Sequence, residues 1–178
     1  MAVLPLVIAP DPRLKICSQP VEKVTPEIQK LVDDMLDTMY ASGGIGLAAV
    51  QVGVHKRILV MDIAQREEDG EMGKPAEPMV LINPEIIESS PEISTYEEGC
   101  LSFPGQYADV KRPKGVTIRY LDREGNQRLI EADGLLATCV QHEMDHLNGV
   151  VFVDHISSVK RDIIIRKLKK VKRLEQKP

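Results

Sequence analysis

The chain has 178 residues, 43% of them apolar and 28% charged, and a net charge of −4. That is the size and make-up of one soluble globular domain covering 1–178, and no apolar run approaches the roughly 20 residues that a membrane-spanning helix needs. Three widely spaced cysteines, Cys17, Cys100 and Cys139, make no disulfide framework and fit a reducing compartment. The start, MAVLPLVIAPDPRL, has no basic region ahead of its apolar stretch and is interrupted by Pro5 and Pro10. It makes a poor signal peptide, so a cytoplasmic location is expected.

The first element opens at Thr25-Pro26-Glu27, a cap, a proline at the first helical position and an acid in the first turn. Ile28, Leu31, Val32, Met35, Leu36 and Met39 follow at helical spacing, and Gly43-Gly44 ends the run. The glycine-rich stretch 43–53 has the outline of a dinucleotide loop, but that loop needs a strand before it and a helix after it. Here a helix precedes, and 48–54 does not read as helical. Residues 57–63, 79–82 and 115–121 read as strands, and 65–78 as an exposed loop. Residues 97–105, with Gly99, Pro104 and Gly105, read as a constrained loop. The turn at Asp122 to Gly125 leads into 127–131 and predicts a hairpin. A second helix runs from Asp133-Gly134 to Asn148-Gly149, and a third begins at Ser157 or Ser158 and extends to about residue 175. Strands and helices without strict alternation predict an α+β fold.

The third helix carries Val159, Ile163, Leu168, Val171 and Leu174 among basic residues. From Lys160 onward nine Lys or Arg stand against Asp162 and Glu175, a surplus of seven positive charges, so the rest of the chain carries −11. Such a tail is either a solvated helix face or a docking surface for a polyanion such as ribosomal RNA.

The chemistry concentrates in His142-Glu143-Met144-Asp145-His146. On a helix, positions i and i+4 lie on one face about 6 Å apart, close enough for two imidazoles to share a metal. Glu143 stands between them, placed to handle the proton of a water. Two histidines on a solvated face are the alternative. Leu135 and Cys139 share the face, however, and point it inward, where imidazoles need partners. A third ligand must come from elsewhere. Phe152 occupies the position where some zinc proteases place a third histidine, and the only later glutamate is Glu175. Cys139 is seven residues from His146, about 10 Å along the helix, too far to share one ion. Cys100 is the remaining thiol in a suitable setting; taken alone it reads more as a small core residue, and the case for a ligand rests on the helix having no other third partner. Gln51 reads as a neutral donor in an apolar stretch, or as an ordinary strand residue.

Together the segments 44–51, 98–102 and 141–146 resemble the bacterial peptide deformylases, whose motifs read GxGxAAxQ, EGCLS and QHExDH. The resemblance extends over nearly the whole chain. It implies antiparallel sheets around a central metal-binding helix, with N-terminal and C-terminal helices. It implies Cys100, His142 and His146 as metal ligands and Glu143 as the acid and base. The Gln51 amide and the Leu101 N–H are then oxyanion donors, and Gly46 aligns the substrate. Ile45, Tyr96, Leu135, Thr138 and Cys139 line the pocket for the methionine side chain. It further implies Fe2+ as the resident metal, with Zn2+, Ni2+ or Co2+ as substitutes, whereas a thiolate with two imidazoles would by itself suggest zinc. The implied partners are formyl-Met nascent peptides in a bacterium and, through the basic helix, the ribosome near its exit tunnel; no membrane is involved and the chain is expected to be monomeric. Many bacterial members carry an Arg where this chain has Tyr107, which bears on contacts with the peptide and not on the chemistry.

Two rival functions follow from parts of the pattern. An HExxH endopeptidase shares the core motif but lacks its third ligand here. A non-enzymatic metal module would need a fourth protein ligand, and the one candidate, His155, lies beyond the end of the helix.

Overall fold

The structure is a computed structural model that describes residues 2–64 and 75–176. Most of the loop expected at 65–78 therefore lies outside the described residues. Among the described residues the chain forms α1 (Pro26–Ala41), β1 (Gly46–Ala48), β2 (Ile58–Met61), β3 (Met79–Ser89), β4 (Ile93–Cys100), β5 (Phe103–Pro113), β6 (Gly115–Leu121), β7 (Gln127–Asp133), α2 (Gly134–Leu147) and α3 (Ser158–Glu175). Single 3-10 turns form at Pro12–Lys15, Ala49–Val52 and Phe152–His155. The turn at Ala49–Val52 corrects the reading of that stretch as non-helical: Gly53, at φ 82°, closes it in the left-handed region.

Among the described residues the ladders between the named strands are antiparallel. One sheet has the order β1-β2-β3-β6-β7, and β4 and β5 form a separate two-stranded ribbon. Strand β2 is buried along its whole length, and its alternation explains why. Ile58 and Val60 join Val32, Met35 and Met39 of α1, while Leu59 and Met61 join Val140 and Met144 of α2. The two helices cover opposite faces of the large sheet, so β2 needs no polar face. The fold is α+β with α2 at its centre.

The helix ends follow their caps. The Thr25 hydroxyl accepts from the Ile28 N–H at 3.4 Å, and the Ser157 hydroxyl from the Lys160 N–H at 3.3 Å. Asp133 stands at the N-cap of α2 as expected, but its side chain makes no capping hydrogen bond. At the other end of α2 Gly149 has φ +72°, and a Cβ there would collide with the carbonyl oxygen of Lys15. Gly149→Ala combines left-handed strain with a clash against backbone. It is expected to lower stability by about 3 kcal/mol, read as a fall in the urea midpoint with m unchanged.

Two expectations need correction. Residues 97–105, read as a constrained loop, are instead the paired ends of β4 and β5, reversed at Leu101-Ser102. The strand predicted over 79–82 runs on to Ser89, past Asn83 and Pro84. It does so through a register shift between Ile82 and Glu85, with Asn83 at φ 51°. A bulge accommodates what reads as a strand terminator in sequence.

Candidate active site

Helix α2 sets His142 and His146 one turn apart, both buried, with ring centroids 5.1 Å from each other. Cys100 ends β4 at the point where the ladder with β5 slips. That slip turns the thiol toward α2, and its Sγ lies 3.4 Å from His146 Nε2. One donor atom each from Cys100, His142 and His146 lies within 4.8 Å of the others. Ligands of a tetrahedral ion bonded at 2.0–2.3 Å stand roughly 3.3–3.8 Å apart, so this donor set fits one metal with little adjustment.

The surroundings fix the direction of the first imidazole. His142 Nδ1 is 2.8 Å from Glu98 Oε1, which leaves Nε2 facing the other donors. Glu98 in turn accepts two hydrogen bonds from Arg112, at 2.7 and 2.9 Å, and Arg112 Nη1 reaches Asp145 Oδ2 at 2.7 Å. Burial would raise the Glu98 carboxyl, but His142 and Arg112 hold it below its ordinary range. The ring of Phe152 lies nearly parallel to His142, 6.0 Å away. The residue that rules out a third histidine in the sequence therefore walls the site.

Glu143 is buried beside these donors. Its Oε1 is 4.0 Å from His142 Nε2, and its Oε2 has no hydrogen-bond partner. Burial pushes its carboxyl up to about 7. The backbone of β1 presses against it: a Cβ on Gly46 would come within 2.7 Å of Glu143 Oε1. Only glycine lets the chain pass so close to that carboxylate.

Gln51 is held from three sides. Its Oε1 accepts from the Ala48 N–H at 2.9 Å, while its Nε2 donates to Ser102 Oγ at 3.1 Å and lies 3.4 Å from Cys100 Sγ. The amide is thus aimed at the thiol by its own turn and by the hairpin tip.

A cavity of about 690 Å³ opens over these groups. Ile45, Gly46, Tyr96, Cys100, Leu101, Leu135, Thr138, Cys139, His142 and Glu143 all line it; Gln51 and His146 are buried beneath its wall. Tyr107 stands at the rim, 63% exposed, with its ring across Gly99. Of the network around His142, sequence reasoning assigned no role to Glu98, Arg112 or Asp145. Glu98 and Asp145 lie inside the motifs, but Arg112 carries no sequence signal at all.

The family model for polypeptide deformylase matches residues 3–162. The chain belongs to the polypeptide deformylase family. It is 54% identical over 170 residues to the peptide deformylase of Rhizobium meliloti, covering 96% of this chain and 94% of that protein. It superposes on the crystal structure of peptide deformylase from Ehrlichia chaffeensis with a TM-score of 0.91 at 50% identity, covering 98% and 99% of the two chains. The Legionella pneumophila enzyme gives a TM-score of 0.88 at 45% identity. As a member of this family the chain is a metal-dependent hydrolase that removes the N-terminal formyl group from nascent peptides. No helix among the described residues is long and apolar enough to cross a membrane.

Proposed function

We propose that Glu143 is the general acid and base of deformylation, working beside an ion held by Cys100, His142 and His146. The observation that carries this is a buried carboxylate with one unpartnered oxygen, set next to three converging donors at the floor of a cavity. When bound, the metal supplies Lewis acidity, which makes a water nucleophilic near neutral pH and polarises the formyl carbonyl. Glu143 takes the proton of that water as its oxygen adds to the formyl carbon. It then gives the proton to the amine nitrogen as the carbon–nitrogen bond breaks, leaving formate and a free N-terminal Met. The Gln51 amide and the Leu101 N–H are the proposed donors to the growing charge on the formyl oxygen. The Gly46 backbone aligns the peptide, and Ile45, Tyr96, Leu135, Thr138 and Cys139 enclose the methionine side chain.

Fe2+ is proposed as the resident metal on the strength of family membership, with Zn2+, Ni2+ or Co2+ able to replace it. The decisive experiment is formate release from formyl-Met-Ala-Ser by protein prepared anaerobically with Fe2+, beside Cys100→Ser. Rapid release by the wild type, with the variant nearly inactive and metal-poor, supports the reading. No release from folded, iron-loaded wild type refutes it. Gln51→Ala is expected to lower kcat by about 10²- to 10³-fold with KM little changed, as befits a donor used mainly in the transition state. Steady-state kinetics on the same peptide check this.

The chain is further proposed to act as one monomeric domain in the bacterial cytoplasm and to dock on the ribosome through α3. Ile164 and Leu168 of α3 are buried, so truncating the helix would open the core beside Phe103 and Phe152. On the outer face Val159, Ile163, Val171 and Leu174 are exposed among the lysines. Charge reversal is the sounder test. Lys167→Glu with Lys170→Glu should abolish cosedimentation with 70S ribosomes and leave hydrolysis of free peptide unchanged; undiminished cosedimentation refutes docking by this face.

A further inference from the structure

Beyond the direct ligands, a line of charged contacts leads from the site to the surface. His142 meets Glu98 at 2.8 Å, Glu98 meets Arg112 at 2.7 and 2.9 Å, and Arg112 meets Asp145 at 2.7 Å. The line does not stop there. His155 Nε2 lies 2.7 Å from the same Asp145 Oδ2 that receives Arg112. Asp145 therefore has one oxygen shared between a buried guanidinium and a histidine whose side chain is about one-third exposed.

His155 is no fourth ligand, since it lies outside the group of converging donors and its Nε2 is spent on Asp145. Its own position is rigidly set. It ends the 3-10 turn Phe152–His155, and Asp154 in that turn accepts from the Val151 N–H at 3.0 Å and pairs with Lys15 at 2.5 Å. Phe152 in the same turn packs against His142 and, edge-on, against Phe103. The turn is thus pinned at both ends, and His155 meets Asp145 from a fixed platform.

We propose that His155 is a remote positioning residue of the metal centre, acting through Asp145, Arg112 and Glu98 on the orientation of His142. The physical reason lies in Arg112. A buried guanidinium holds its plane only as well as its acceptors hold theirs. Glu98 fixes one edge of Arg112 and Asp145 the other. Asp145 is about a quarter exposed, and without the His155 N–H only Arg112, among the described residues, restrains its carboxylate against turning toward water. Arg112 then loses its second anchor, and the carboxylate that orients His142 loses definition with it. The proposal rests on the reading of Cys100, His142 and His146 as metal ligands.

Co2+ affinity tests it without reference to turnover. Wild type, His155→Ala and His155→Gln, each loaded with one Co2+ per chain, are equilibrated with a chelator of known affinity. The thiolate-to-cobalt absorption band is then followed. His155→Ala should raise the Co2+ dissociation constant about 3- to 10-fold, less than the 10- to 100-fold typical of a group bonded directly to a ligand. His155→Gln, whose amide N–H can replace Nε2, should stay within about twofold of wild type, and both variants should unfold in urea in a single cooperative transition. Unchanged affinity in His155→Ala, or equal losses in the two variants, overturns the proposal. Failure of the wild type to take up one Co2+ with a thiolate band would instead overturn the ligand assignment beneath it.

Discussion

Glu143→Gln is expected to lower kcat for formyl-Met-Ala-Ser by about 10²- to 10⁴-fold while leaving metal content and fold intact. The two side chains are the same size, so the close approach of Gly46 is kept. What is lost is the ability to take a proton and return it. The carboxyl is suited to that exchange because burial pushes it up to about 7, where neither protonation state is strongly favoured at neutral pH. Stability should not fall, since an amide avoids the cost of burying a charge with one unpartnered oxygen. Formate release measured alongside metal analysis separates the effects. A variant that keeps more than a tenth of wild-type kcat with full metal would remove Glu143 from the chemistry.

The second large effect is expected at Arg112. Arg112→Met should cost about 3–5 kcal/mol of stability, because it strands the Glu98 carboxylate in the interior without its cation. Arg112 and Glu98 are each about 5% exposed, so the carboxylate left behind would keep little contact with bulk water. Adding Glu98→Gln to Arg112→Met should recover a good part of that loss, since the amide needs no counter-charge. The same double variant should still bind metal more weakly, because His142 now leans on a poorer acceptor. Urea denaturation of the two single variants and the double variant gives the coupling energy. A loss below about 1 kcal/mol for Arg112→Met would show that the network is not what holds the ribbon to α2.

Where burial patterns and caps are strong, the chain is readable. Thr25-Pro26 opens α1 where expected, Ser157 opens α3, and Gly149 closes α2, because each is a local device whose physics acts within a few residues. The site residues from the three motifs do converge around one cavity, with Gln51 and His146 just behind its wall. What stayed hidden is non-local. Strands β4 and β5 alternate between exposed and half-buried positions and carry Gly99, Pro104 and Gly105, which in sequence spell a loop. Only their mutual pairing, and the docking of Phe103 and Val110 into the core below α3, make them a ribbon. Arg112 was invisible for the same reason: nothing within ten residues distinguishes it from a surface arginine, and its partners are 14 and 33 positions away.

The two-stranded ribbon has a consequence for how fast the centre can exchange its ion. A hairpin of two strands has little stability of its own in water. Here its polar hold on α2 comes through Glu98, Arg112 and the Pro113 carbonyl, which accepts from Gln141, while Phe103 packs on Phe152, and no ladder joins the ribbon to the larger sheet among the described residues. Cys100 rides on that hairpin, while His142 and His146 ride on the helix. Lifting the ribbon from α2 would carry the thiol with it and break the buried charge pairs of Arg112. On the proposed ligand set, the opening that exposes the amides of β4 and β5 to solvent exchange would also separate the thiol from the two imidazoles, which couples retention of the ion to the local stability of the ribbon.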